Sequence, residues 1–114
     1  VVLRVLVDGA VAADWTLETL EYSLPFATLT LDGDEQRGPL LADVLAASGV
    51  VTFESVEAIG MNEGRTAEVS LTIAAVDIDD TYILDISNQN TLKLAAESLP
   101  REQWVRDVAE LRVN

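Results

Sequence analysis

The sequence predicts an α+β fold: a mixed or antiparallel sheet with one main helix, about residues 39–48, and short helical turns. Three observations lead there. Apolar residues alternate at period two over most of the chain. The stretch Gly38 to Gly49 changes to helical spacing. A hydrophobic content of 49% in 114 residues, with charges evenly spread, suits one domain over residues 1–114 with a single ordinary core.

Residues 2–8 read as a strand, with Val1, Leu3, Val5 and Val7 on one face, and Asp8-Gly9 as the turn after it. Thr16 is placed to cap a short helix from Leu17 to Glu21, with Glu18 and Glu21 near its positive end. Pro25 ends that segment. Phe26 to Leu31 alternates as a second strand, and Asp32 to Arg37 reads as a polar loop. In the main helix Pro39 suits the first position, where its missing N–H needs no partner, and Gly49 suits the residue just past the end. Leu40, Leu41, Val44 and Leu45 form its buried stripe. A third strand, about Thr52 to Ile59, and a turn over Gly60 to Arg65 follow. Ala67, Val69, Leu71 and Ile73 then alternate with Glu68, Ser70 and Thr72, giving a strand with one buried and one wet face. A helical turn at Ala74 to Asp77, strands at Thr81 to Ile86 and Thr91 to Ala95 around the turn Ser87 to Asn90, and a closing segment after Pro100 complete the chain.

Twenty acidic against seven basic residues give a net charge of −13, dispersed along the chain. Nucleic acid and anionic membrane surfaces are disfavoured partners, because both need clustered Lys and Arg. Dispersed acids suit solubility, with steering of a cationic partner as the alternative. No apolar run is long enough for a membrane helix. The absence of Cys and His excludes disulfides, thiolate nucleophiles, structural zinc and a Ser-His-Asp relay. Val1 in place of Met leads us to expect an upstream segment removed or left out, whether leader peptide, tether or domain, and hence an exported protein as one option.

Asp77-x-Asp79-Asp80 invites a calcium reading, but Thr81, Tyr82 and Asn88 stand where the loop needs its third ligand, its Gly and its Glu. Asp32-Gly33-Asp34-Glu35 fails likewise, with Arg37 at the sixth position. No metal ligands and no catalytic residues are therefore assigned. Trp15 and Trp104 are expected as core anchors with satisfied N–H groups. Arg37 at the helix entrance, Arg65 in a Gly-rich turn and Lys93 on a late strand are rare cations that form a candidate anion site if they converge on the helix N–H groups. The alternative is that each pairs with a nearby carboxylate.

Val7-Asp8-Gly9 followed by Thr16-Leu17-Glu18-Thr19-Leu20 resembles the "V-x-G … L-T-x-E-D-L" opening of the oxidoreductase molybdopterin-binding domain, the sulfite-oxidase-like fold. Gly38-Pro39-Leu40-Leu41-Ala42-Asp43-Val44-Leu45-Ala46-Ala47-Ser48-Gly49-Val50 resembles its "G-x-P-L-x-D-L-L-x-x-A-G-V" helix. Trp104-Val105-Arg106-Asp107-Val108-Ala109-Glu110-Leu111-Arg112-Val113 resembles its closing "W-V-K-x-V-x-x-I-x-V" strand. The family's enzymes ligate molybdenum through a Cys between the second strand and the central helix; here that interval, Asp32 to Arg37, holds none. The resemblance thus implies a short, cofactor-free or cofactor-degenerate member, acting as a ligand-binding or protein-interaction module. A module that still holds molybdopterin or another anion through Arg37, Arg65 and Lys93, without redox chemistry, is the alternative. A carboxylate-dependent hydrolase ranks third. A strand at either terminus offers a neighbour a place to pair.

Overall fold

The computed structural model describes residues 1–61 and 68–114. In order it runs β1 (Leu3–Val7), β2 (Ala10–Trp15), α1 (Leu17–Ser23), β3 (Phe26–Leu31), β4 (Asp34–Pro39), α2 (Leu41–Ala47), β5 (Ser55–Met61), β6 (Glu68–Ala74), β7 (Ile83–Ile86), β8 (Leu92–Ala95) and β9 (Val105–Val113), with single 3-10 turns at Ala75–Asp77 and Arg101–Gln103. It is an α+β fold, mostly strand, with two helices and a mixed sheet.

The long last strand, β9, organises that sheet. Its C-terminal half lies parallel to β1, with Arg4 opposite Glu110 and Val7 opposite Val113. Antiparallel β5 runs along its other side, and antiparallel β8 takes its N-terminal half on the β1 side. The described strands then extend as β2-β1-β9-β5-β6, with β7 beyond β8. The inner face of the sheet buries Leu3, Val5, Val56, Ala58, Ile73, Leu92, Leu94, Val108, Leu111 and Val113 under the two helices.

Thr16 caps α1 as its position predicts: its Oγ1 accepts from Thr19 N–H at 3.0 Å, and Thr19 Oγ1 accepts from Thr16 N–H at 2.8 Å. Helix α2 is shorter than residues 39–48 and no longer than α1; its dominance lies in burial, with Leu41, Val44 and Leu45 inside against Leu20 alone for α1. Pro39 is not the first helical residue but the last of β4, opposite Phe26, because its fixed φ serves an extended strand equally well. Gly49 does close the helix, at φ +85°.

Trp15 is a core anchor. Its Nε1–H donates to Ser48 Oγ at 3.0 Å, and Ser48 Oγ–H donates to Val44 O at 2.7 Å, tying the end of β2 to the last turn of α2. Ser48→Ala is expected to cost about 1–3 kcal/mol, since the buried indole N–H then has no acceptor. A lower urea midpoint at unchanged slope is the check.

The interval expected as a polar loop is instead a hairpin. Asp32 (φ 51°) and Gly33 (φ 81°) form a tight turn of the I′ kind that pairs Leu31 with Asp34. The β3–β4 hairpin docks on β7. Arg37 N–H donates to Asp85 Oδ1 at 2.7 Å, Leu41 N–H donates to Tyr82 O at 2.9 Å, and Leu40 bridges Ile83. Gly38 makes this possible, for a Cβ there would lie 2.0 Å from the Leu84 carbonyl oxygen. A second apolar cluster of Leu31, Ile83, Ala95 and Trp104 fills the junction. β2 was not expected, and residues 60 and 61 belong to β5; the rest of the anticipated turn, Asn62 to Arg65, lies outside the described residues.

The outer face of the sheet alternates in sign across the strands. Arg4 stands opposite Asp14 on one side and Glu110 on the other, and Arg112 stands opposite Glu57. Arg4 Nε bonds Asp14 at 2.8 Å and Arg112 Nε bonds Glu110 at 2.9 Å. The Arg4 hydrogen bond holds the Asp14 carboxyl below its usual range. Exposed pairs of this kind contribute little stability each. Their effect is to use two of the seven bases on acids of the same face.

Candidate functional site

An anion site in so acidic a chain depends on which bases face a cavity. Arg37, on β4, lays its guanidinium 5.2 Å from the Phe26 ring centroid. Lys93, on β8 directly opposite Asp85, has Nζ 3.9 Å from Asp85 Oδ2 and 5.4 Å from the Trp104 ring centroid. Arg37 and Lys93 therefore meet only through Asp85, which takes the backbone N–H of one and the ammonium of the other. Arg65 lies outside the described residues. At the expected focus of the three, the opening of α2, the Leu41 amide donates to the Tyr82 carbonyl.

A different grouping includes Lys93. A groove of about 260 Å³ is lined by Ser87, Asn88, Gln89, Thr91, Lys93, Arg106 and Asp107, where the β7–β8 turn meets β9. The strand is irregular here. Gly60 pairs with Val108 while Ile59 pairs with Glu110, and Leu92 pairs with Val108 while Leu94 pairs with Val105, so β9 carries bulges on both sides. Asp107 adopts φ 54° within them. The bulge turns Arg106 and Asp107 toward the β7–β8 turn.

The polar wall of the groove is internally bonded. Thr91 Oγ1–H donates to Asp107 Oδ1 at 2.6 Å, which leaves Ser87 Oγ–H as the donor in its 2.9 Å contact with Thr91 Oγ1. Ser87 Oγ in turn accepts from the Gln89 and Thr91 amides. Two cationic side chains and two exposed side-chain amides thus surround a fixed hydroxyl chain ending on a carboxylate. Such a set can receive an anion on Lys93 and Arg106 and a ligand N–H or O–H on Asp107. Sequence reasoning missed Arg106 and Asp107 as site residues. Their signal was the three-residue spacing of Val105, Val108 and Leu111, which a regular strand does not have.

Arg101, also missed, closes a separate corner. Its Nε bonds Asp32 Oδ2 at 2.6 Å, a second nitrogen bonds Asp34, and its guanidinium sits 4.8 Å from the Trp104 ring centroid. Donating to the Asp32 carboxylate raises its pKa further. Trp104 is itself anchored, donating Nε1–H to Leu99 O at 3.1 Å. Asp79 serves its own turn, accepting from Thr81 N–H at 2.9 Å and Oγ1–H at 2.6 Å, bonds that hold its carboxyl below the usual value. No group of three or more His, Cys, Asp or Glu among the described residues is arranged to hold a metal ion. No described helix is long and apolar enough to cross a membrane.

The hairpin also holds an unusual core residue. Gln36 is 1% exposed, shares its face with Leu29 across the pair, and leaves Oε1 without a hydrogen-bond partner. A buried orphan amide oxygen is destabilising. Gln36→Leu is expected to stabilise the fold by about 1 kcal/mol, read as a higher melting temperature.

Molybdenum, which the family resemblance implies, does not fit these residues. Where the thiolate ligand is expected stand the Asp32-Gly33 turn and β4, whose Gln36 is buried and whose Arg37 amide is bonded to Asp85. None offers a soft sulfur donor. No protein family, curated protein or solved structure matches the chain in comparison.

Proposed function

We propose that this chain is a non-catalytic binding module on a molybdopterin-domain-like scaffold, and that it receives a small anionic ligand in the Lys93–Arg106 groove. One observation carries the reading: in a chain with seven bases against twenty acids, two of the seven line one groove together with a pre-bonded Ser87–Thr91–Asp107 chain. The scaffold half of the reading is supported by the placement of the three family-like segments, which form the β1 turn with α1, the β4–α2 unit and β9. A chain without Cys or His has no thiolate or imidazole to offer as nucleophile or base, which favours binding over turnover.

Titration of 15N-labelled protein with inorganic phosphate and with citrate tests this. Amide shifts are expected to cluster at residues 87–93 and 105–107 and to vanish in Lys93→Ala/Arg106→Ala. Shifts scattered over the chain, or retained in the double variant, overturn the site. Native mass spectrometry of protein made in a molybdopterin-producing host tests whether the anion is a pterin.

A further inference from the structure

We infer that strand β6 is a self-pairing edge, through which two copies of this chain join their sheets into one. Among the described residues β6 pairs only with β5, in a regular register with no shift from Ser55–Ala74 to Met61–Glu68. Natural edge strands are protected by bulges, Pro, Lys or inward charges. The opposite edge of the sheet has such a device, a register shift where β2 pairs with β1. β6 has none. Its sequence, Glu-Val-Ser-Leu-Thr-Ile-Ala, is β-prone, free of Pro and Lys, and charged only at its first residue.

The direction of the open row follows from the sheet. Ser55 O accepts from the Asn114 amide, so the odd residues of β5 bond toward β9 and the even ones toward β6. Val56, Ala58 and Gly60 pair with Ile73, Leu71 and Val69, which leaves the backbone N–H and C=O groups of Glu68, Ser70, Thr72 and Ala74 facing outward.

The strand is also complementary to itself. A two-fold axis at Leu71 places Leu71 against Leu71, Val69 against Ile73, Ser70 against Thr72 and Glu68 against Ala74. Each pair keeps its face: the half-buried Val69 and Leu71 continue the inner apolar surface, and Ser70 and Thr72 continue the wet one. The one charge meets an alanine, not its own copy. About eight backbone hydrogen bonds form across such a seam, and the interface is isologous, so it closes as a dimer. A crevice of about 230 Å³ between Val69, Leu71 and the Glu102–Val105 segment lies beside the seam and gives the facing Val69 and Leu71 side chains room.

The test is light scattering over a concentration series, with charges written into the seam. Ser70 and Thr72 are exposed and sit opposite each other across the axis, so substitutions there leave the core untouched. The unmodified protein is expected to dimerise. Ser70→Lys/Thr72→Lys sets like charges face to face and is expected to weaken the dimer about tenfold or more. Ser70→Lys/Thr72→Glu sets Lys against Glu and is expected to restore it. A protein that stays monomeric up to about 0.5 mM, a dimer indifferent to the two lysines, or a Lys/Glu variant that stays as weak as the Lys/Lys one each overturns the inference.

Discussion

Gly38→Ala is expected to remove about 3–5 kcal/mol of stability, a large part of what a domain of this size possesses. The added methyl would stand 2.0 Å from the Leu84 carbonyl oxygen and 3.0 Å from its carbon. Both are backbone atoms of a buried strand, so no rotamer change relieves the clash. The hairpin must move away from β7, and that separates Arg37 N–H from Asp85 and Leu40 from Ile83. It also opens the cluster of Leu31, Ile83, Ala95 and Trp104. Chemical denaturation should show a midpoint shifted far to lower denaturant. A variant within 1 kcal/mol or so of the parent would mean that the hairpin does not rest on β7 as described.

Gly60→Ala is expected to cost about 2–4 kcal/mol and also to disturb the groove. Its Cβ would lie 2.4 Å from the Arg106 carbonyl oxygen and 2.8 Å from that of Asp107. Those carbonyls belong to the bulge that aims Arg106 and Asp107. If β9 yields, Asp107 leaves Thr91, and anion affinity at the groove falls together with stability. The discriminating measurement is phosphate titration at a temperature where the variant is still folded. Unchanged affinity would separate the bulge from the site.

Features set by neighbours in sequence were legible, and features set by distant partners were not. Thr16 and Thr19, three apart, announce a cap, and the Asp8-Gly9 turn and the alternation of Val69, Leu71 and Ile73 need only local chemistry. β4 was hidden because Asp34-Glu35-Gln36-Arg37 has no apolar alternation; it is a strand by virtue of the Asp32-Gly33 turn and the edge of β7, some fifty residues on. β2 was hidden by Ala10, Ala12, Ala13 and Asp14, which carry little β-propensity of their own. In the candidate site Lys93 was visible as a rare cation. Its partners Arg106 and Asp107 were not, because a bulge between β5 and β8 decides where they point. Asp85, which couples Arg37 to Lys93, has no mark in the sequence at all.

The central position of β9 has a consequence for how the chain reaches its native state. The strand that joins β1, β5 and β8 follows the other described strands in sequence, and residues 4–7 must find residues 110–113 across all of them. Contacts of such long sequence separation slow folding toward the millisecond-to-second range, since loop closure precedes any reward. Until β9 joins them, the β1–β2 and β5–β6 hairpins lack the native partner of their inner edges. Assembly of the described sheet is therefore expected to be committed only when this nine-residue strand slots between the β1–β2 and β5–β6 hairpins.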